Sequence, residues 1–316
     1  MIRVEMHGRL GNQLFQYAAA RALQNKNKEE IIISFRQVNG ANTEGNRGWE
    51  NSLKYFNVAP FKVYEGNKSL LSTMPLTTQW LCLAYAISYR PLMKNFTKWN
   101  SYQQKWAPLL DKIGVRWIAN GYFDFKNDYN SEYLLNGSFE ALEYFNDIRD
   151  VLLNEITPKY EELEQNRDLY DVIRSTNSVC LSLRHFQLKG QSADNYDVCG
   201  LDYYLSAIEQ IKQNVDSPVF IVFSDDLVWA KEMLKLDGDN VYYETSDNPI
   251  WEKLRLMYSC KHFIIPNSTF AWWAQYLGKY DNKVVVSPSK WFNSDFDSPL
   301  ISPSWIRLDK NGSRIN

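Results

Sequence analysis

The second half of this 316-residue chain alternates apolar runs of strand length with segments of helical periodicity, and no other feature limits the fold as strongly. The apolar runs are nearly continuous, which is typical of strands buried on both faces of a parallel sheet. The intervening segments place apolar residues at helical spacing, so they cover that sheet. We therefore predict an α/β fold, with a parallel sheet and helices on both faces, built on the strands SVCLSL, PVFIVFS, NVYYE, HFIIP and KVVVSP.

The first half opens with a strand, a glycine loop and a helix. The β-prone run IRVEM is followed by Gly8 and Gly11, which tolerate positive φ angles and close approach to the backbone. A helix is predicted from Asn12, and its N-terminus would suit a phosphate or a polar sugar. A purely structural glycine turn is the alternative for the same segment.

The remainder of the first half is less regular. EEIIISF predicts a second strand, a mostly helical insertion follows as far as Ile113, and EALEYFNDIRDVLLNEI predicts an amphipathic helix from Glu140. The charged, non-periodic segment PKYEELEQNRDLYDVIRS predicts a domain boundary. The predicted domains are residues 1–160 and 161–316.

Composition excludes several classes of function. The 35 basic and 37 acidic side chains give a net charge of −2, so no global field attracts nucleic acid. Three histidines and scattered cysteines form neither a disulfide framework nor a zinc site, and no metal is expected. No signal-peptide pattern opens the chain, so the cytoplasm is the expected location.

One segment leaves two interpretations open. No charged residue occurs between Ser69 and Tyr89, but polar side chains dilute the stretch and no membrane span is predicted. The run WLCLAYAISY and the basic residues after it would suit peripheral membrane contact. Buried helices with a basic outer face are the alternative. The basic residues are Arg90, Lys94, Lys98 and Lys105.

Polar side chains follow three predicted strands of the second half. Because the carboxyl ends of parallel strands meet at one edge, where ligands bind, these groups are predicted to share a crevice. Arg184 would neutralise a diphosphate through its donor fork. The groups are Arg184 and His185, then Ser224, Asp225 and Asp226, then Asn267, Ser268, Thr269 and Phe270.

The other members of this set have both binding and structural interpretations. Ser268, Thr269 and the helix that follows would cradle the same phosphates, and Phe270 would flank the base. Asp225 or Asp226 would accept hydrogen bonds from guanine or ribose. Alternatively, the aspartates and Ser268 cap the helices that begin there.

Five segments carry a resemblance to a known family. HGRLGNQLFQYAAARAL resembles the opening of the bacterial α-1,2-fucosyltransferases of glycosyltransferase family 11, and GYFDFKNDY is similar to that family's Gly-Tyr-Phe segment. VFIVFSDDLVWAKEML, LRLMYSCKHFIIPNSTFAWWAQYLG and KVVVSPSKWFN resemble later motifs, in order. The resemblance runs from end to end and is weakest between residues 40 and 115.

The resemblance implies two Rossmann-like domains in a GT-B-like arrangement and an inverting, metal-independent transfer of fucose from GDP-fucose to the 2-hydroxyl of a galactoside. It implies no cofactor, since GDP-fucose is the donor substrate. The acceptor would be an oligosaccharide or a lipid-linked glycan. A lipid-linked acceptor would suit an enzyme at the inner face of the membrane.

The resemblance also implies roles for individual residues. Arg184 would hold the diphosphate, Ser268 and Thr269 would contact it from the other side, and Asp226 would help to recognise the nucleotide. Asn12 would face the reacting centre. Gly11 and Gln13 flank Asn12 in the loop that the first domain would contribute to a cleft shared with the donor domain, and both are predicted to bind the donor.

The first strand end departs from the family pattern His-x-Arg-Arg-x-Asp. Ser182, His185 and Gln187 stand where the histidine, the second arginine and the aspartate are usual, and only Arg184 is retained. This departure leaves open a glycosyltransferase of the same fold with a different donor, and also a non-catalytic protein that binds a sugar or a nucleotide.

The general base has three sequence candidates. His185 has a suitable intrinsic pKa, so it joins Arg184 and Asn12 as a predicted catalytic residue. Asp194 and Asp197 lie in the same loop and are alternatives. A dehydrogenase is disfavoured because GRLGNQ lacks the third glycine of GxGxxG and no acidic residue closes the second strand.

Overall fold

Two β-sheets, each in its own part of the chain, form the framework of the computed structural model. The structure describes residues 1–42, 48–126, 128, 130–184, 191–236, 238, 240–245 and 247–315, with only the backbone of 191–193. A first compact unit comprises Met1–Ile156 and Ser294–Pro299, and a second comprises Thr157–Asn293 and Leu300–Asn316.

The first unit contains a parallel sheet in the order β3-β2-β1-β5-β4. Its strands are β1 (Ile2–Glu5), β2 (Ile31–Ser34), β3 (Lys62–Val63), β4 (Val115–Arg116) and β5 (Tyr133–Leu135). Its α-helices are α1 (Leu10–Asn27), α2 (Arg36–Ala41), α3 (Leu76–Tyr89), α4 (Phe96–Lys112) and α5 (Arg149–Glu155).

The second unit contains a sheet in the order β12-β11-β10-β9-β6-β7-β8. Its strands are β6 (Asn177–Leu183), β7 (Pro218–Ser224), β8 (Val241–Tyr243), β9 (His262–Ile264), β10 (Val285–Pro288), β11 (Ile306–Leu308) and β12 (Arg314–Ile315). Its α-helices are α6 (Arg167–Ser175), α7 (Gln191–Tyr196), α8 (Leu201–Asn214), α9 (Leu227–Leu234), α10 (Ile250–Ser259) and α11 (Thr269–Leu277).

The strand order of the second unit is that of a Rossmann sheet. Numbered within the unit, strands β6 to β11 lie in the order 3-2-1-4-5-6, all parallel, and the short β12 is antiparallel at the edge. The prediction of an α/β fold with a parallel sheet is therefore confirmed. The order reverses between β6 and β9 here, and between β1 and β5 in the first unit. Ligands of such sheets bind outside the carboxyl ends of the strands at these switch points.

Burial of its strands explains why the second sheet could be predicted from the sequence. All residues of β6 after the first are buried, as expected for a strand covered on both faces. Tyr203 and Tyr204 of α8 are fully buried against the sheet. The Tyr203 hydroxyl donates a hydrogen bond to the Ile265 carbonyl at 2.6 Å, so α8 also fixes the backbone just beyond β9.

The helix predicted from Glu140 is wrong over its first half. Two short 3-10 turns, Leu142–Tyr144 and Asn146–Ile148, occupy that stretch before α5 begins. Phe145 is fully buried and packs on Phe15 of α1 with ring centroids 5.9 Å apart. The backbone of Phe145 leaves the helical region to make this contact, so tertiary packing overrides the local periodicity.

Candidate functional site

The switch point of the second unit brings two of the predicted groups to neighbouring strand ends. Leu181 of β6 is paired with Ile264, the last residue of β9. Arg184 follows β6 directly, and the segment from Ile265 leads from β9 into α11. The arginine and the N-terminus of α11 therefore lie at the same edge of the sheet, at adjacent positions.

The Arg184 backbone is anchored from α8. Its N–H donates to the hydroxyl of the buried Tyr204 at 3.1 Å, while the residue itself is half-buried. This bond fixes the main chain from which the guanidinium extends. His185 and Gln187 lie outside the described residues.

The N-terminus of α11 is capped by Ser268. The Ser268 hydroxyl accepts a hydrogen bond from the Ala271 N–H at 3.5 Å, so the capping interpretation of this residue is confirmed. Thr269 and Phe270 form the first turn and remain half-buried. The positive end of the helix dipole is thus presented at the switch point, where it stabilises an anion.

Asn267 has a structural function in this geometry. It is 4% exposed, and its side-chain NH2 donates to the carbonyls of Tyr196 and Trp291, each at 3.0 Å. Both amide protons are used in holding the loop before α11 to the end of α7 and to the loop after β10. Asn267 therefore stabilises the conformation of the loop at the switch point.

The end of β7 is also a helix cap. The Asp226 carboxylate accepts a hydrogen bond from the Trp229 N–H at 3.0 Å, and the Ser224 hydroxyl both donates to and accepts from the Asp226 backbone. The capping interpretation is therefore confirmed for Asp226. Asp225 is exposed at the same strand end, beside β6, and has the more accessible carboxylate for a nucleotide.

The glycine loop of the first unit requires glycine at position 8. Gly8 has φ +78°, and a Cβ atom there would lie 2.6 Å from the Asn12 Cβ. Gln13 is fully buried; its amide donates to the carbonyls of Gly8 and Glu50 and accepts from the Ser52 N–H. Gln13 thus holds the loop to a neighbouring segment.

A second glutamine, which sequence reasoning did not single out, completes the loop. Gln16 is fully buried, accepts from the His7 N–H at 3.0 Å, and donates to the carbonyls of His7 and Asn12. Together the two glutamines fix the chain from β1 into α1. The side chain of Asn12 is consequently held at a defined place in the first turn of α1.

Asn12 meets a carboxyl group at the switch point of the first unit. Its side-chain NH2 donates to Glu140 Oε1 at 3.0 Å, and Glu140 follows β5, the sheet neighbour of β1. Burial raises the pKa of Glu140 from 4.5 to about 7, although the residue keeps partial exposure. His7 lies between β1 and α1, and its imidazole is 3.4 Å from the hydroxyl of Ser138, which follows β5. Burial lowers the pKa of His7.

The two aspartates that are alternative candidates for the base lie in the second unit, whereas Glu140 lies in the first. Asp194 is exposed near the end of α7, and its carbonyl accepts from the Asn293 side chain. Asp197 forms an exposed ion pair with Lys310 at 2.6 Å. Both residues are therefore exposed, whereas Glu140 is half-buried.

The described residues contain neither a cluster of metal-ligating side chains nor a membrane-spanning helix. Among them, no group of three or more histidine, cysteine or acidic side chains is arranged to hold a metal ion. None of the helices that they form combines the length and apolar character that crossing a membrane requires. All four cysteines are free thiols.

Comparison with known proteins gives one family and several relatives. The model of the family described as Glycosyl transferase family 11 matches residues 1–309. The O-antigen biosynthesis glycosyltransferase WbnK of Escherichia coli is 28% identical over 96% of this chain and 99% of its own length. An alpha-1,2-colitosyltransferase, also of Escherichia coli, is 25% identical over 98% and 99%. Among solved structures, fucosyltransferase NodZ from Bradyrhizobium is similar with TM-score 0.47 and 12% identity, covering 87% of this chain and 91% of that chain.

Proposed function

This chain belongs to glycosyl transferase family 11, and it is a glycosyltransferase; we propose that it transfers fucose from GDP-fucose to the 2-hydroxyl of a galactoside, with inversion. The observation that carries the proposal is the family match over nearly the whole chain. The switch point of the second unit supports it, since an arginine and a capped helix N-terminus follow adjacent strands there.

The second unit supplies the groups that a diphosphate needs. In the proposed complex, the Arg184 guanidinium and the first-turn amides of α11 bind the diphosphate. The same groups stabilise the charge that develops on the leaving GDP, and preorganised donors of this kind contribute about 3 kcal/mol each. Asp225 accepts hydrogen bonds from the nucleoside.

The first unit contains a candidate general base. Transfer with inversion needs a group that accepts the proton of the attacking hydroxyl, and the Glu140 carboxylate is the group we propose for it. A base is most effective when its pKa lies near the working pH, and burial brings the pKa of Glu140 to about 7. Asn12 holds the carboxylate through its 3.0 Å hydrogen bond to Oε1, so in this proposal it acts as a positioning residue.

A different donor sugar is the second candidate. The relative named as an alpha-1,2-colitosyltransferase matches along almost the whole chain, as does WbnK. The replacement of a second arginine by His185 and of an aspartate by Gln187 lies in the segment that would adjoin the donor. A sugar nucleotide that carries colitose is therefore the alternative substrate to test.

Calorimetric titration of GDP, UDP and ADP, with EDTA present, tests the donor site first. We expect selective GDP binding that is lost in Arg184→Ala and kept in Arg174→Ala, a matched control at an exposed arginine of α6. Acceptor-dependent GDP release from GDP-fucose then supports the proposal. Release only from a colitose nucleotide supports the second candidate. Absence of nucleotide binding contradicts both.

A further inference from the structure

The α3–α4 hairpin of the first unit exposes a continuous apolar stripe. One face of α3 is buried, through Thr78, Cys82 and Tyr85. The opposite face repeats at helical spacing and is also apolar. Its residues are Leu76 (71% exposed), Trp80 (67%), Leu83 (44%) and Ile87 (56%).

The stripe is not needed to hold the hairpin together. Tyr85 is fully buried and packs on Tyr102 and Trp106 of α4, with ring centroids 6.3 and 5.5 Å away. The same cluster continues to Val115 of β4 and Leu134 of β5. The hairpin thus has a complete inner core, and its outer apolar face is in contact with solvent.

The segment that carries the stripe has charge of one sign only. The sequence has no aspartate or glutamate from Gly66 to Leu110, although the whole chain has a net charge of −2. The basic residues of this segment are all exposed: Lys68, Arg90, Lys94, Lys98 and Lys105. A segment whose exposed side chains are apolar or basic is complementary to an anionic interface.

We propose that the α3–α4 hairpin docks on an anionic lipid bilayer. The stripe enters the boundary between headgroups and acyl chains, with Trp80 at the interface, where amphipathic aromatic rings are favoured. The exposed lysines and Arg90 contact lipid phosphates. The charge pattern favours this occupant over a second copy of the chain, because two hairpins face to face would bring like charges together.

Flotation with vesicles tests the proposal directly. The wild-type protein should bind vesicles of phosphatidylcholine and phosphatidylglycerol in equal parts, bind less at high salt, and not bind vesicles of phosphatidylcholine alone. Lys94→Glu, Lys98→Glu and Lys105→Glu together should weaken binding by about 100-fold or more, since each basic residue contributes about fivefold. No binding of the wild type to the mixed vesicles overturns the proposal.

An apolar variant and two matched controls complete the design. Trp80→Gln, Leu83→Gln and Ile87→Gln together should weaken binding at least about tenfold, because these side chains enter the bilayer. Val228→Gln, at a 69% exposed position of α9, should bind as the wild type does. So should the triple change Lys159→Glu, Lys235→Glu and Lys279→Glu, which has the same net charge as the hairpin triple variant. Equal losses in the controls overturn the proposal.

Two further outcomes are distinguishable. If light scattering shows a dimer that the apolar variant dissociates, and vesicle binding is absent, the stripe is an interface between copies and the proposal is wrong. Docking is independent of the proposed transferase activity. A protein that floats with the vesicles but transfers no sugar contradicts the proposed function and supports this inference.

Discussion

Replacing Glu140 with glutamine is expected to lower activity and raise stability at the same time. The change keeps the shape of the side chain, and its carbonyl oxygen can still accept the hydrogen bond from Asn12. It removes the group proposed to accept the acceptor proton. Loss of a general base costs about 10²- to 10⁴-fold in rate.

The stability gain follows from the direction of the pKa shift. Glu140 has a folded pKa of about 7 against an ordinary value of 4.5, so the fold binds its proton more tightly than the unfolded chain does. The stability that this proton contributes is complete below pH 4.5 and is lost as pH rises to about 7. The interval corresponds to about 3 kcal/mol, an upper bound on the advantage of the glutamine variant above pH 7.

Two measurements check the reasoning. Acceptor-dependent GDP release by the wild type should fall about tenfold for each pH unit below about 7, and this limb should be absent from the residual rate of Glu140→Gln. Urea unfolding should show the variant to be more stable than the wild type above pH 7 and equally stable below pH 4.5. The control is Glu143→Gln, an exposed neighbour, which should change neither quantity. A Glu140→Gln enzyme with the wild-type rate refutes the assignment of the base, and one with no gain in stability refutes the burial argument.

Other substitutions test individual contacts. Asn12→Ala should raise the pKa of Glu140 further, because a donor to the carboxylate is lost, and the acid limb of the pH–rate profile should move to higher pH; an unmoved limb argues against a positioning role. Gly8→Ala should reduce both activity and the free energy of unfolding, since position 8 has φ +78° and the added Cβ meets Asn12; wild-type stability contradicts the strain. Asp226→Ala should lower the free energy of unfolding by about 1 kcal/mol through loss of the α9 cap, measured in urea, with GDP affinity unchanged if its role is capping alone.

The sheet of the second unit could be predicted because its information is local. Each of β6, β7 and β9 is a nearly continuous apolar run, and each is followed by polar residues at the edge where parallel strands end. That logic leads to Arg184 and to the α11 N-terminus without a structure. It also gave capping as one interpretation of Asp225 or Asp226 and of Ser268, and the caps that Asp226 and Ser268 form are local hydrogen bonds.

The structure of the first unit was harder to predict from the sequence, for three reasons. Its β5 is a run of three apolar residues between polar ones, whereas the run of β9 continues through Ile265 and Pro266, so the sequence did not predict Glu140 as a site residue. The pairing of Asn12 with Glu140 joins residues far apart in sequence, and the perturbed pKa arises from burial. Neither property has a local signal. The α3 helix is apolar on both faces, so its periodicity cannot tell which face is buried.

The amide side chains also show the difference between what the sequence predicts and what the tertiary structure decides. Asn12, Gln13 and Asn267 look equivalent in the sequence, as polar groups near glycine loops or strand ends. In the structure, the side-chain amides of Gln13 and Asn267 donate hydrogen bonds to backbone carbonyls, whereas the amide of Asn12 donates to a carboxylate. The sequence by itself determined the parallel sheet, the strand ends and the helix caps, because periodicity and capping act over a few residues. Only the tertiary structure decided which polar side chains bond to the backbone inside the protein, which carboxyl group is buried and which apolar face is exposed. These properties depend on contacts between segments that are far apart in the sequence.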